Sequence, residues 1–276
     1  TYIKPNDEVI IFRPAFDIYE PIIELNGGKP ISIQLEAPNY KVDWNKVKQK
    51  INSSTKMIIV NTPHNPSGTV LPEDDMLQLQ ALTTNTNIMV LSDEVYEHII
   101  FDGEQHQSAC LYPDLKSRSF VVASFGKTFH STGWKTGYCC APKDLMDEFK
   151  KTHQINVFCV NHPIQIALAN YLQEPSHYMQ LPEFYQEKRD LFLSIIKDSR
   201  FNFKPAKGTY FQVLEYSDIS NEYDLHFAKR LTIEHGLASI PMSVFNKNNL
   251  DNKTLRFCFA KTDETLKKAA EIINRI

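Results

Sequence analysis

Lys127 stands in Ser124-Phe125-Gly126-Lys127-Thr128, directly after the apolar run Phe120-Val121-Val122-Ala123. Two earlier runs also lead to a polar group: Met57-Ile58-Ile59-Val60 is followed by Asn65, and Ile88-Met89-Val90-Leu91 by Asp93. If these runs are neighbouring strands, an amine, a carboxylate and an amide meet beyond one sheet edge. An amine can condense with an aldehyde, a carboxylate facing a ring nitrogen keeps it protonated, and a donor at a ring oxygen tunes the product. That is the set required by a pyridine ring carrying an aldehyde, as in pyridoxal 5'-phosphate. Tyr96 adds a second donor for the ring oxygen, and Ser124 and Lys135 could supply a hydroxyl and a cation to the phosphate.

Aiming those groups requires a particular scaffold. Strand patterns fall at 8–13, 31–35, 56–61, 88–92, 119–124 and 136–140, and helical patterns at about 17–26, 43–51, 72–84 and 142–152. The alternation predicts an α/β domain on a mainly parallel central sheet, its helices on both faces. Asp43 can cap one helix and Pro72 suits the first turn of another. The loop from Asn61 to Gly68 contains two prolines and a glycine, which restrict the backbone and suit an aimed side chain.

Past about residue 155 the texture changes. Pro163 to Leu172 reads as a helix, Glu174-Pro175-Ser176-His177 as a break, and 183–198 as a long charged helix able to join two domains. Strands near 209–215, 237–240 and 254–259, with helices near 222–235 and 262–275, describe a smaller α+β unit. We therefore expect a large cofactor-binding domain over 1–174 and a small C-terminal domain over 175–276.

Composition narrows the remaining classes. A net charge of -3 with interspersed acids and bases gives no footprint for nucleic acid. No apolar run approaches the roughly 18 residues of a membrane span, so a cytoplasmic protein with no membrane partner is expected. The five cysteines form no C-x-x-C or zinc-like pattern, and His153, His162 and His177 lack metal-like spacing, so no metal is expected. Gly126-Lys127-Thr128 is not the end of a nucleotide phosphate loop, because Val121 stands where that motif needs glycine.

Asn65-Pro66-Ser67-Gly68, Ser92-Asp93-Glu94-Val95-Tyr96, and Ser124-Phe125-Gly126-Lys127 continuing to Gly133-Trp134-Lys135-Thr136-Gly137-Tyr138 together resemble the signature segments of the class I and II aminotransferases, fold type I. Along its whole length the chain most resembles the kynurenine and methionine aminotransferase branch. The resemblance implies that Lys127 is the Schiff-base lysine, Asp93 the partner of the pyridine nitrogen, and Tyr96 and Asn65 donors to the ring oxygen. It implies that Phe16, in Pro14-Ala15-Phe16-Asp17, stacks on the cofactor, and that Ser124 and Lys135 contact its phosphate. Many relatives carry Arg at the latter position, so Lys offers a point charge in place of a fork. By the same resemblance Arg256 grips the substrate α-carboxylate, Asn65 also touches substrate, and Phe158 is lent to a neighbouring subunit's substrate pocket in a homodimer. Members of the family also have an arm, a phosphate-binding glycine loop and a tyrosine offered across the dimer upstream of the segment equivalent to Asp7-Glu8-Val9. On that ground an N-terminal part beyond Thr1 is expected.

Each residue alone has a simpler reading: Asp93 could cap a helix from Glu94, Asn65 could serve its own turn, Arg256 could form a surface ion pair, and Tyr96, Phe16 and Phe158 could be core aromatics. Their joint occurrence favours an aminotransferase moving an amino group from an L-amino acid, methionine or aromatic and kynurenine-like, to a 2-oxo acid. Tyr210 and Phe211 support an apolar pocket. The alternatives are a C–S β-lyase on the same fold, which shares the carbanion and differs in its fate, or a non-catalytic truncated module.

Overall fold

The apolar runs become strands Glu8–Arg13 (β1), Lys29–Gln34 (β2), Thr55–Asn61 (β3), Met89–Asp93 (β4), Ser119–Ser124 (β5) and Gly137–Cys140 (β6) in a computed structural model that describes residues 1–276. They form one sheet ordered β2-β1-β3-β4-β5-β6. All neighbours are parallel except β6, which runs antiparallel to β5. Between them lie helices Tyr19–Leu25 (α1), Trp44–Lys50 (α2), Glu73–Thr83 (α3), Pro113–Lys116 (α4) and Phe125–Thr128 (α5), and Lys143–Asn156 (α6) follows.

Both faces of this sheet are covered. Ile10, Phe12, Ile58 and Val60 pack with Val47 of α2 and with Met76 and Leu79 of α3. The alternate residues Val9, Ile11, Met57 and Ile59 pack on the other face with Ile23 of α1 and, at its margin, Leu145 and Phe149 of α6. Burial on both sides is why β1, β3 and β4 read as unbroken apolar runs and not as alternating ones. Each such side chain contributes about 1.5–3 kcal/mol by leaving water. Asp43 caps α2 as its sequence position suggests, accepting from the backbone N–H groups of Asn45 (3.0 Å) and Lys46 (3.2 Å).

Helices His162–Tyr171 (α7), Ser176–Met179 (α8) and Leu181–Ile196 (α9) lead to a second sheet. Its strands are Phe211–Glu215 (β7), Ile240–Pro241 (β8) and Thr254–Cys258 (β9), in the antiparallel order β7-β9-β8. Helices Asp224–His235 (α10) and Asp263–Ile273 (α11) complete this part. The strand expected over 237–240 shrinks to two residues and shifts to Ile240–Pro241. Pro241 has no N–H to continue a ladder, and the chain enters the 3₁₀ turn Met242–Phe245. No helix is long and apolar enough to cross a membrane.

The two sheets are bound through backbone. Lys207 and Gly208 both donate N–H groups to the Gly68 carbonyl (2.8 and 3.0 Å), Phe101 donates to the Lys207 carbonyl (2.9 Å), and Thr209 donates to the Ile99 carbonyl (2.9 Å). Tyr96, Ile99 and Phe101 belong to the apolar cluster of the second sheet, packed with Phe211, Phe257 and Phe259. Gly68 makes this approach possible: its φ is +73°, and an added Cβ would lie 2.7 Å from the Ala206 Cβ. Gly68→Ala should therefore destabilise the protein by at least about 2 kcal/mol through combined dihedral strain and overpacking, seen as a lower urea midpoint with unchanged slope.

Candidate active site

The strand order reverses between β1 and β3, since β1 is followed by a neighbour on one side and β3 opens the run to the other. Ligand crevices in open α/β sheets form at the carboxyl ends of strands beside such a reversal. A cavity of about 220 Å³ opens there, lined by Phe16, Asn61, Asn65, Asp93, Val95, Tyr96, Val122, Ala123, Ser124 and Lys127. The structure thus brings Phe16, Asn65, Asp93, Tyr96, Ser124 and Lys127 together from the segments after β1, β3, β4 and β5.

Asn61 organises the crevice. Its register partner across β3 and β4 is Asp93. The Asn61 Nδ2 donates to the Asp93 carbonyl (2.9 Å), and its Oδ1 accepts the backbone N–H of Asn65 (2.8 Å). One amide therefore ties the end of β4 to the loop that carries Asn65. His64 locks the same loop from behind: its Nδ1 meets Ser67 Oγ at 2.6 Å, and that hydroxyl meets Thr69 Oγ1 at 2.8 Å.

Asp93 begins no helix. Its Oδ1 accepts the N–H of Val95 (3.2 Å), and its Oδ2 accepts the hydroxyl of Tyr19. Burial pushes the Asp93 carboxyl above its ordinary pKa, while the Tyr19 and Val95 donors and the nearby Lys127 amine oppose that rise. Tyr96 is buried in the second sheet's apolar cluster and also faces the cavity, packing edge-on against Tyr210 with ring centroids 5.3 Å apart. Burial, reinforced by Tyr210, raises the Tyr96 hydroxyl well above the ordinary phenol value, so it remains a proton donor at neutral pH.

Arg256 enters from β9. Its Nη1 donates to Asn65 Oδ1 (2.5 Å), and its guanidinium lies over the rings of Phe211 (4.0 Å) and Phe245 (4.8 Å). The surface ion pair considered for it does not form. Ser124 caps its own turn, its Oγ accepting the Gly126 N–H at 3.1 Å. Lys135 and Phe158 do not line the cavity. Lys135 is exposed, with φ +53°, and Phe158 is 78% exposed.

Tyr19 and Asn61 escaped the reading of the sequence. Tyr19 lies one helical turn past Phe16, and that spacing was the available signal. Asn61 ends an apolar strand directly opposite the acid that ends its neighbour, and only the register reveals the match. Glu94, Glu97 and His106 also come together, a grouping the spacing did not suggest. Glu94 there is engaged by Ser92 Oγ (2.7 Å), the Ala109 N–H (2.9 Å) and His106 Nε2 (2.8 Å), which makes it a lock between β4 and the 104–112 segment.

A parallel sheet with helices on both faces, and an amine, a carboxylate, an amide and a phenol converging at its switch point, define a class of protein. Residues 1–273 match the family "Aminotransferase class I and II", and the chain belongs to that family. It is an amino-acid aminotransferase of the kind found among methionine and kynurenine aminotransferases. It is 44% identical to methionine aminotransferase of Escherichia coli (strain K12) over 275 residues, covering 99% of this chain and 71% of that protein. It is 29% identical to human kynurenine–oxoglutarate transaminase 1, covering 99% and 72% of the two chains. Among solved structures, that of an E. coli protein with methionine aminotransferase function superposes with a TM-score of 0.97 at 44% identity, covering 100% of this chain and 73% of that one.

Burial draws the His64 imidazole down to about 4. The unfolded chain binds a proton below an ordinary value near 6.5, whereas the folded protein keeps the ring neutral to about 4. Stability present above pH 6.5 is therefore lost as pH falls through that window, by about 3 kcal/mol at most. Urea unfolding between pH 7 and 4 should follow this slope, and His64→Asn should flatten it while lowering stability at pH 7.

Proposed function

We propose that this protein uses pyridoxal 5'-phosphate to transfer the amino group of methionine or an aromatic, kynurenine-like amino acid to a 2-oxo acid. The observation that carries the reading is the meeting of Lys127, Asp93, Asn65, Tyr96 and Phe16 on one cavity with Arg256 joined to Asn65. The donor set fits the cofactor in kind: a primary amine for the aldehyde, an acid for the ring nitrogen, an amide and a phenol for the ring oxygen, and an aromatic for the ring face. When bound, the cofactor supplies the electron sink that lets an α-proton leave a bound amino acid.

The chain's own groups do the rest. Lys127, the primary amine on the cavity, would hold the cofactor at its aldehyde and would carry the proton away from the substrate α-carbon and return it. Asp93 would hold the ring nitrogen and favour its charged form. Tyr96 and Asn65 would donate to the ring oxygen, and Phe16 would cover the ring. Ser124 and Lys135 are assigned to the phosphate, Lys135 from its exposed position after the turn at Thr132–Trp134. Arg256 takes the substrate carboxylate with its planar fork. Its release of Asn65 would accompany that binding.

The aromatic surroundings of Arg256 favour an apolar donor side chain, in keeping with the named activities of the relatives. The division into 1–174 and 175–276 belongs to this reading, with the lysine and acid in one part and the arginine in the other. So does a homodimer to which Phe158 contributes, and the strongly exposed Ile155 and Phe158 supply apolar surface for it. Its unpaired cysteines suit the reducing cytoplasm.

The test is an absorbance spectrum of the protein with added pyridoxal 5'-phosphate, then borohydride reduction, peptide mapping and a panel of amino donors and 2-oxo acids. Attachment at Lys127 and turnover of methionine or kynurenine ahead of aspartate are expected; attachment elsewhere sinks the reading. Lys127→Ala should abolish both the long-wavelength absorbance and turnover. Arg256→Lys should raise KM for the amino donor by about tenfold, the loss expected when a bidentate charged contact becomes a single one. An unchanged dependence on donor concentration would remove Arg256 from that role.

A further inference from the structure

Tyr19 has no part in the assignments above, yet it touches two of the residues that the cofactor reading depends on. Its hydroxyl crosses from α1 to donate to Asp93 Oδ2. Its ring meets Phe16 edge-on, with centroids 5.8 Å apart and planes at 81°. The other carboxylate oxygen, Oδ1, is held only within its own turn, by the Val95 N–H at 3.2 Å. The main chain at Asp93 is immobilised independently, its carbonyl accepting from Asn61 Nδ2 (2.9 Å) and from the Thr62 N–H (3.0 Å). What remains free in Asp93 is rotation of its carboxylate, and Tyr19 is the contact from another element that stops it.

We propose that Tyr19 is the positioning residue of this site, aiming the Asp93 carboxylate and bracing the Phe16 ring, the two groups assigned to the cofactor's nitrogen and face. The inference rests on the cofactor reading for its purpose, but its first measurement does not require bound cofactor.

The charges around Asp93 decide the sign of the effect. Facing it are the Tyr19 hydroxyl from α1, Glu94 from its own strand end, the Lys127 amine from α5, and the Tyr96 hydroxyl. Burial and Glu94 favour the neutral acid, whereas Tyr19, the Val95 N–H and Lys127 favour the carboxylate. Tyr19 itself is raised well above the ordinary phenol value, first by burial and then by Asp93, so it stays a donor throughout the neutral range. Removing that donor leaves burial less opposed, and Asp93 then takes up its proton at higher pH.

The test is Tyr19→Phe, which keeps the ring against Phe16 and removes only the hydroxyl. In cofactor-free protein carrying carboxyl-labelled aspartate, the Asp93 signal, assigned by its absence in Asp93→Asn, should titrate about one pH unit higher in the variant than in the wild type. Pyridoxal 5'-phosphate affinity, by equilibrium dialysis at pH 6 and pH 8, should fall about tenfold, with the larger loss at pH 6. In the Asp93→Asn background, Tyr19→Phe should change the affinity no further, because the partner it aims is gone. An unmoved Asp93 titration overturns the proposal, and so do losses from Tyr19→Phe and Asp93→Asn that simply add. Wild-type protein that takes up no cofactor would instead sink the functional reading, while the carboxyl titration would still judge the Tyr19 and Asp93 pair.

Discussion

The register that sets Asn61 opposite Asp93 is the constraint on which the site depends. In a parallel sheet a slip of one residue would turn each side chain to the other face and away from the helices it packs against, α2 and α3 on one side and α1 and α6 on the other, so that packing holds the register. Asn61 then uses both ends of its amide, one on the Asp93 carbonyl and one on the Asn65 N–H. A strand pairing that exists to bury Ile58 and Val60 on one side and Met57 and Ile59 on the other thereby sets the distance between an acid and an amide. Chemistry at the sheet edge inherits its precision from apolar packing beneath it.

Electrostatics at that edge are balanced by direct contact. Burial works against the charge of Asp93 and of Arg256 alike, raising the first and lowering the second. Asp93 is compensated by hydrogen-bond donors and by Lys127. Arg256 is compensated by the Asn65 carbonyl oxygen and the faces of Phe211 and Phe245, interactions that satisfy a guanidinium without neutralising it. A cation held by a neutral amide and two rings remains available to a carboxylate, whereas one bound in an ion pair would have to break that pair first.

The second sheet is placed by main-chain contacts together with apolar packing. The Gly68 carbonyl receives two N–H groups from the far part of the chain, and Thr209 and Phe101 add reciprocal bonds around Ile99 and Lys207. Because the loop of Asn65 is the loop of Gly68, the same few residues fix the amide and the approach of β9 with its arginine. The shared apolar cluster of Tyr96, Phe211 and Phe257 makes that arrangement continuous with the core.

Much of this was legible in the residues alone. Runs such as Met57 to Val60 and Phe120 to Ala123 are short, rich in β-branched residues and alternate with helical stretches, so a mainly parallel sheet and the edge where Asn65, Asp93 and Lys127 emerge follow from pattern, while the antiparallel β6 does not. The signature segments carried the family. The short strand at Ile240–Pro241 was less legible, because the missing N–H of one proline outweighed the apolar pattern before it. Tertiary structure alone decided that Asn61 faces Asp93, that Tyr19 reaches the same carboxylate, and that Arg256 rests on Asn65 between two phenylalanines. Those contacts join residues tens to hundreds of positions apart, and their geometry depends on strand register and sheet approach, quantities that local periodicity does not encode.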